Sequence, residues 1–113
     1  LLVAKVLQKE DGTINSVCFH SQQAGEKYLK GFLASHNKHT RKTHNLPILL
    51  EECIKIDPTF KELGSDIQYL NQFYVETRYP GDYPEFTFNE CKKAYKSALN
   101  IKKFVLDKIL LES

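Results

Sequence analysis

The apolar and small residues between Ile14 and His36 recur every three or four positions, the spacing of one face of an α-helix. They are Val17, Cys18, Ser21, Ala24, Gly25, Tyr28, Leu29, Phe32 and Leu33. A helix with one apolar face must bury that face against other elements. Runs with the same period follow at residues 46–54, 66–76 and 88–111, and no segment alternates with a period of two. The pattern therefore predicts an all-α chain.

Turn and capping residues separate the helices, and the short connections favour an up-and-down bundle of four to five helices. The separating residues are Asp11-Gly12 after a first helix over 1–9, the N-cap Asn45, the restart at Asp57-Pro58, an interruption at Gly64-Ser65, and the capping box Thr87–Glu90. The predicted buried stripe of the last helix is Ala94, Tyr95, Ala98, Lys102, Val105, Leu106 and Ile109. At 113 residues the chain is one domain over 1–113. Because the chain has no Met, we expect the first helix to be truncated.

Charge is segregated along the chain although the net charge is only +2. Residues 27–50 carry five basic residues and no acid, and residues 91–113 carry six Lys against two acids. This distribution is typical either of a basic face for a phosphate-rich partner or of ordinary solvated helix faces. No apolar run is long enough to span a membrane, and no secretory signal is visible. The three Cys are interpreted as reduced, which predicts a cytoplasmic protein.

Three polar segments stand where a plain bundle needs none: residues 19–30, Thr43-His44-Asn45-Leu46-Pro47, and Thr77-Arg78-Tyr79-Pro80. Their order and spacing resemble the HEPN domain family (higher eukaryotes and prokaryotes nucleotide-binding), prokaryotic stand-alone type, over residues 17–109. The resemblance implies a homodimer with a cleft between its subunits. It also implies a minimal nucleotidyltransferase as the partner in a toxin–antitoxin pair.

Arg78 is the first candidate functional residue. Only two of the 16 cationic residues are Arg, which indicates a need for a planar, bidentate guanidinium at position 78. The alternative is an Arg that favours a helix dipole and pairs with Asp82 or Glu85. Ribonucleases of the family place a His four to six residues after the Arg. Tyr83 occupies that spacing here, and its ordinary pKa of about 10 suits proton transfer poorly.

His44 is the second candidate, because Thr43-His44-Asn45-Leu46 resembles a recurrent family tetrapeptide at a helix start. A His there lies near backbone N–H groups that bind anions, whereas simple capping by Thr43 or Asn45 explains the same residues. His36, His39 and His44 do not share a helical face, so we predict no metal site. In the family a polar residue of the second helix faces the Arg motif. Glu26 and Gln22 are the choices here.

The sequence is compatible with three functions. The first is nucleotide or RNA binding without a cofactor, as the HEPN component of a toxin–antitoxin pair. The second is a metal-independent endoribonuclease with Arg78, Tyr83 and His44 as candidate catalytic residues, in which His44 or His20 would replace the absent His. The third is a non-catalytic dimerisation or scaffold module. The predicted ligand-binding residues are Arg78, Asp82, Tyr83, His44, Glu26, Lys38, Arg41 and Lys42.

Overall fold

The computed structural model describes residues 14–38, 43–74 and 86–112, and all regular structure in these ranges is helical. Helix α1 spans Ile14–Ser35, α2 spans Leu46–Ile56, a 3₁₀ helix spans Pro58–Leu63, α3 spans Gly64–Asn71 and α4 spans Phe88–Glu112. The predicted all-α bundle is confirmed. The predicted first helix over residues 1–9 lies outside the described residues. No helix in the described ranges is long and apolar enough to cross a bilayer.

The predicted N-caps are confirmed by their hydrogen bonds. The Asn45 side chain accepts from the Ile48 N–H at 3.3 Å, and the Asp57 carboxylate accepts from the Thr59 N–H at 3.0 Å. Thr87 and Glu90 form the reciprocal pair of a capping box, at 3.1 and 2.9 Å. These caps satisfy backbone donors that the first turn of each helix leaves without an intrahelical partner.

The helical segment that restarts at Asp57-Pro58 divides at Gly64 into the 3₁₀ helix and α3, close to the predicted interruption, although Gly64 itself has right-handed helical φ and ψ. The predicted end of the second part is wrong, because helix α3 ends at Asn71 instead of continuing to Glu76. Phe73 and Tyr74 instead donate to the carbonyls three residues back, which forms a turn.

The helix directions follow from contacts between described residues. Gln22 meets His44, Leu29 meets Cys53, and Phe32 meets Phe60, so α2 runs in the same direction as α1. Helix α3 then returns, since the Asn71 side chain reaches the start of α2. Helix α4 again follows the direction of α1, as the disulfide described below links their N-terminal halves. The bundle therefore departs from strict alternation between α1 and α2.

The core is built around aromatic rings at the C-terminal end of α1 and around a close helix contact near its centre. Phe32 packs on Phe60 with ring centroids 4.3 Å apart, and both side chains are fully buried. Near the centre, a Cβ at Gly25 would lie 3.2 Å from Cδ1 of Leu70 in α3, closer than most real contacts. Gly25 thus lets α3 approach α1, as its place on the apolar face predicted.

The buried stripe of α4 is rotated relative to the prediction. Ala94, Ala98 and Val105 are buried as expected, but Leu106 is 39% exposed and Ile101 is fully buried in its place. Both positions fit a helical period, so periodicity alone could not choose between them.

The prediction that all Cys are reduced is wrong for Cys18 and Cys91, which form a disulfide between α1 and α4. Their Cα atoms lie 4.7 Å apart although 73 residues separate them in the chain. Cys53 is free and buried, as predicted. The sequence gives no direct signal for the pairing, because it depends on which helices become neighbours. The cytoplasmic location was inferred from reduced cysteines and stays a prediction.

Candidate functional site

The described structure brings together two predicted ligand-binding residues, Glu26 of α1 and His44 just before α2. Nδ1 of His44 lies 2.9 Å from Oε1 of Glu26. Oε2 of Glu26 accepts from the Lys30 ammonium at 3.0 Å, so both carboxylate oxygens are engaged. The Glu26 side chain is 12% exposed, whereas His44 is 52% exposed. A largely buried carboxylate therefore orients a half-exposed imidazole.

Side chains from α1 and α3 fix the backbone around His44. The buried Gln22 amide donates to the His44 carbonyl at 3.4 Å. Oδ1 of Asn71, the last residue of α3, accepts from the Leu46 N–H at 3.1 Å. The chain thus enters α2 through a position that two neighbouring helices hold.

Tyr74 completes the arrangement by stacking on the His44 ring, with centroids 4.9 Å apart and an interplanar angle of 18°. We refer to Gln22, Glu26, His44 and Tyr74 as the His44 cluster. Arg78 follows Tyr74 by four positions in the sequence. Arg78, Asp82 and Tyr83 lie outside the described residues, as do Arg41 and Lys42.

The backbone donors at the start of α2 are already used by the protein. Leu46 N–H bonds Asn71, Ile48 N–H bonds Asn45, and Pro47 has no N–H to offer. The helix start is therefore capped by side chains, and an anion would have to compete with those caps. A ligand can therefore contact the ring of His44, whereas the backbone N–H groups at the start of α2 are occupied.

The Glu26 contact sets what the imidazole can do chemically. In a neutral ring, the nitrogen that faces a carboxylate carries the proton and donates it, which leaves the other nitrogen with a free lone pair. Nδ1 faces Glu26, so Nε2 is the proton acceptor of neutral His44. Within the described ranges, Oε1 of Gln22 is a buried acceptor without a hydrogen-bond partner. Of these two acceptors, Nε2 belongs to the half-exposed ring and is open to a ligand, whereas Oε1 of Gln22 is fully buried.

Lys38 is not brought to the His44 cluster. It follows the C-terminal turn of α1, where Asn37 adopts a left-handed φ of 58° and the Lys38 N–H bonds the Leu33 carbonyl. The last residue of α1, Ser35, is nine residues beyond Glu26, about 14 Å along the helix. Among the described residues, no three His, Cys, Asp or Glu side chains converge as a metal site would require.

Two residues of the site were missed by the sequence reasoning. The sequence pattern places Tyr74 only in the periodic run over residues 66–76, on one side with Ile67 and Leu70, and indicates no role for Asn71. The only sequence signal for Tyr74 is its place four residues before Arg78. The contact of Asn71 could not be predicted from the sequence, because its partner, the first amide of α2, lies 25 residues away in the chain.

Comparison with protein-family models places nearly the whole chain in one family. The model described as the HEPN domain matches residues 3–109, a span that includes both the His44 cluster and Arg78. Comparisons with curated proteins and with solved structures returned no match.

Proposed function

Because the chain belongs to the HEPN domain family, we propose that it binds nucleotide or RNA through the His44 cluster and the Arg78 segment. Membership indicates a nucleotide- or RNA-related function. The observation that carries the proposed site is the imidazole of His44, which Glu26 and Tyr74 hold in place although half of it is exposed. A plain bundle gains little from ordering an exposed ring, whereas a binding site needs its contact groups held in position.

The chemistry of the cluster suits the parts of a nucleotide. The stacked rings of His44 and Tyr74 form an aromatic platform of the kind on which bases stack. An Arg four residues farther along the chain can hold a phosphate with two parallel hydrogen bonds. Lys30 already neutralises Glu26 at 3.0 Å, so the carboxylate is less repulsive to a phosphate than an unpaired one would be.

Fluorescence anisotropy with labelled AMP and with a short single-stranded RNA tests this proposal. We expect binding that weakens steeply as salt rises, because phosphate contacts release counterions. Arg78→Ala should abolish most of the affinity, and Arg78→Lys should restore only part of it, because an ammonium cannot make the two-pronged contact. Lys61→Ala, which removes an exposed charge from the 3₁₀ helix, is the matched control. Equal binding by Arg78→Ala and the parent at low salt would show that the site is misassigned.

The proposed assembly is a homodimer that pairs with a minimal nucleotidyltransferase as the HEPN component of a toxin–antitoxin system. Its support is family membership together with the preference of homo-oligomers for two-fold symmetry. Light scattering at micromolar concentration should give twice the monomer mass of 13.1 kDa. A monomer mass under these conditions would contradict the dimer. If a minimal nucleotidyltransferase gene lies beside this one, co-expression of the two proteins should yield a stable complex.

RNA cleavage is the second candidate function, and the Glu26–His44 contact is the observation that favours it. The sequence lacks a His after Arg78, but Nε2 of His44 is a proton acceptor held by a carboxylate. In such a reaction the RNA 2′-oxygen attacks phosphorus as its proton passes to Nε2. The bond from phosphorus to the 5′-oxygen then breaks, and His44 returns the proton to that oxygen. The products are a 2′,3′-cyclic phosphate and a 5′-hydroxyl end.

Incubation of RNA with the purified protein in the presence of EDTA tests cleavage. Cyclic phosphate ends that appear with the parent and disappear with His44→Ala would establish it. A Glu26→Gln variant should lower the rate and alter its pH profile, because the imidazole loses its orienting carboxylate. RNA that stays intact with the parent protein would leave binding as the function.

A further inference from the structure

A cleft of about 330 Å³ opens between α1 and α4, away from the His44 cluster. Its lining residues are Ala24, Lys27, Tyr28, Ala98, Leu99 and Lys102. Small side chains at Ala24 and Ala98 leave room where the two helices face each other, and Tyr28 is half-buried at one wall. The volume lies at the lower end of the range for small-molecule sites, about 300–1,000 Å³.

The charges of the cleft favour an anionic occupant. Lys27 and Lys102 come from different helices and line the same cavity. Neither forms an ion pair with an acid among the described residues, whereas Lys30, Lys55 and Lys108 all do. A mostly apolar cavity that is lined by an aromatic ring and by two lysines without an acidic partner in the described ranges suits a ligand with a flat body and a phosphate.

The cleft and the His44 cluster lie on opposite sides of helix α1. With 3.6 residues per turn, Ala24 and Tyr28 lie on the opposite side of α1 from Gln22 and Glu26. Lys27 projects between those two sides, on the outward surface of the helix, as its exposed side chain confirms. A strand that leaves the His44 cluster and crosses α1 would therefore pass Lys27 before it reaches the cleft.

We propose that the α1–α4 cleft is a second nucleotide subsite, in which a base packs against Tyr28 and Leu99 and its phosphate lies between Lys27 and Lys102. This inference rests on the proposed nucleotide or RNA binding and adds a place for a further unit of the ligand. The unit can belong to a free mononucleotide or to a single-stranded RNA, since both present the same base and phosphate.

Two variants of the cleft and one charge-matched control test the subsite by anisotropy. Tyr28→Leu keeps the apolar bulk but removes the stacking surface, and Lys27→Ala with Lys102→Ala removes both charges. The charge-matched control is Lys61→Ala with Lys103→Ala, two exposed lysines outside the cleft. Each cleft variant should bind short single-stranded RNA about fivefold or more weakly than the parent, and the control should bind within about twofold. Circular dichroism melts of all variants confirm that they fold.

Parallel measurements with AMP and with RNA distinguish a free nucleotide from an RNA strand as the occupant of the cleft. Weaker RNA binding with unchanged AMP binding assigns the subsite to a strand that also occupies the His44 cluster. Weaker binding of AMP as well assigns it to a free nucleotide. RNA and AMP affinities equal to those of the parent in both cleft variants would overturn the subsite. If those variants bind normally while Arg78→Ala loses affinity, the proposed function stands without it. If RNA binding depends on the cleft and not on Arg78, the subsite stands and the Arg78 site fails.

Discussion

The two flanks of helix α1 differ in polarity: one makes hydrogen bonds to its neighbour, and the other lines an apolar cleft. Toward α2 and the start of its first turn, α1 presents Gln22 and Glu26, whose hydrogen bonds fix the position and orientation of His44. Toward α4 it presents Ala24 and Tyr28, which line an open, mostly apolar cleft together with two lysines that have no acidic partner in the described ranges. Hydrogen bonds are directional and hold one geometry, whereas apolar walls accept several. We infer that the first flank orients reactive or contacting groups and that the second accommodates ligand bulk.

The cysteines also differ between the two helix pairs. Cys18 joins α1 to α4 covalently, while Cys53 of α2 makes only a weak thiol contact of 3.7 Å with the Leu29 carbonyl. The pair α1 and α4, which encloses the open cleft, is therefore covalently linked, and the pair α1 and α2 is not. This arrangement permits a cavity beside α4 without separation of the two helices.

Removal of the disulfide should have the largest effect on stability. We expect Cys18→Ala with Cys91→Ala to lower the free energy of unfolding by about 3–5 kcal/mol, because the bond closes a loop of 73 residues in the unfolded chain. Denaturant unfolding of the oxidised parent and the variant measures the difference. Cys53→Ala, which removes a buried thiol without a cross-link, should cost only about 1–2 kcal/mol. Equal midpoints for the parent and the double variant would show that the link contributes nothing.

Cys53 should be inert in the folded protein. Burial, and secondarily the charge of Glu52, raises the pKa of its thiol to about 12 from 9.0. The thiolate fraction at pH 8 is therefore about a thousandfold lower than for an unperturbed thiol. Iodoacetamide followed by intact-mass analysis should add no label to the folded, oxidised protein and one label after denaturation. Rapid labelling under native conditions would contradict the burial of this residue.

On the polar flank, Glu26→Gln should have a moderate effect on stability and a distinct effect on His44. The variant loses the charged partner of both His44 and Lys30, and since His44 is half exposed we expect a cost of about 0.5–1 kcal/mol. Nitrogen NMR, at a pH where the ring is neutral, should show the proton on Nδ1 in the parent and a mixture of tautomers in Glu26→Gln. The same mixture in both proteins would mean that Glu26 does not orient the ring.

Gln22→Leu should have the smallest effect on stability, and its sign is informative. Leu has a similar volume and removes a buried carbonyl oxygen that has no partner in the described ranges, at the loss of one long hydrogen bond. We expect the free energy of unfolding to stay equal or to rise by up to about 1 kcal/mol. A decrease in the free energy of unfolding of more than about 1 kcal/mol would indicate that Gln22 has a structural partner.

Local features of this chain could be predicted from sequence, and features that depend on helix pairing could not. The caps at Asn45, Asp57 and Thr87 were predicted because a cap and its partner lie within three residues of each other. The link between Cys18 and Cys91 was missed because it depends on which faces of two distant helices meet.

The candidate site shows the same division. His44 and Glu26 were selected individually, since residue type and position suggest a role for each. Their contact at 2.9 Å could not be predicted, because it depends on the rotation of α1 about its axis. The cleft was not predicted for a related reason: the predicted stripe of α4 included Lys102 as core, but Lys102 is only half-buried at the cleft and Ile101 is fully buried instead.

The most direct test of the account is a double-variant cycle across α1, with RNA affinity as the measured quantity. His44→Ala changes the polar flank, Tyr28→Leu changes the cleft, and the combined variant changes both. If one strand contacts both flanks, each single variant should lose about 1–3 kcal/mol of binding free energy, and the double variant should lose close to the sum. Parent-like RNA affinity in His44→Ala would contradict the account, because the polar flank would then have no part in binding.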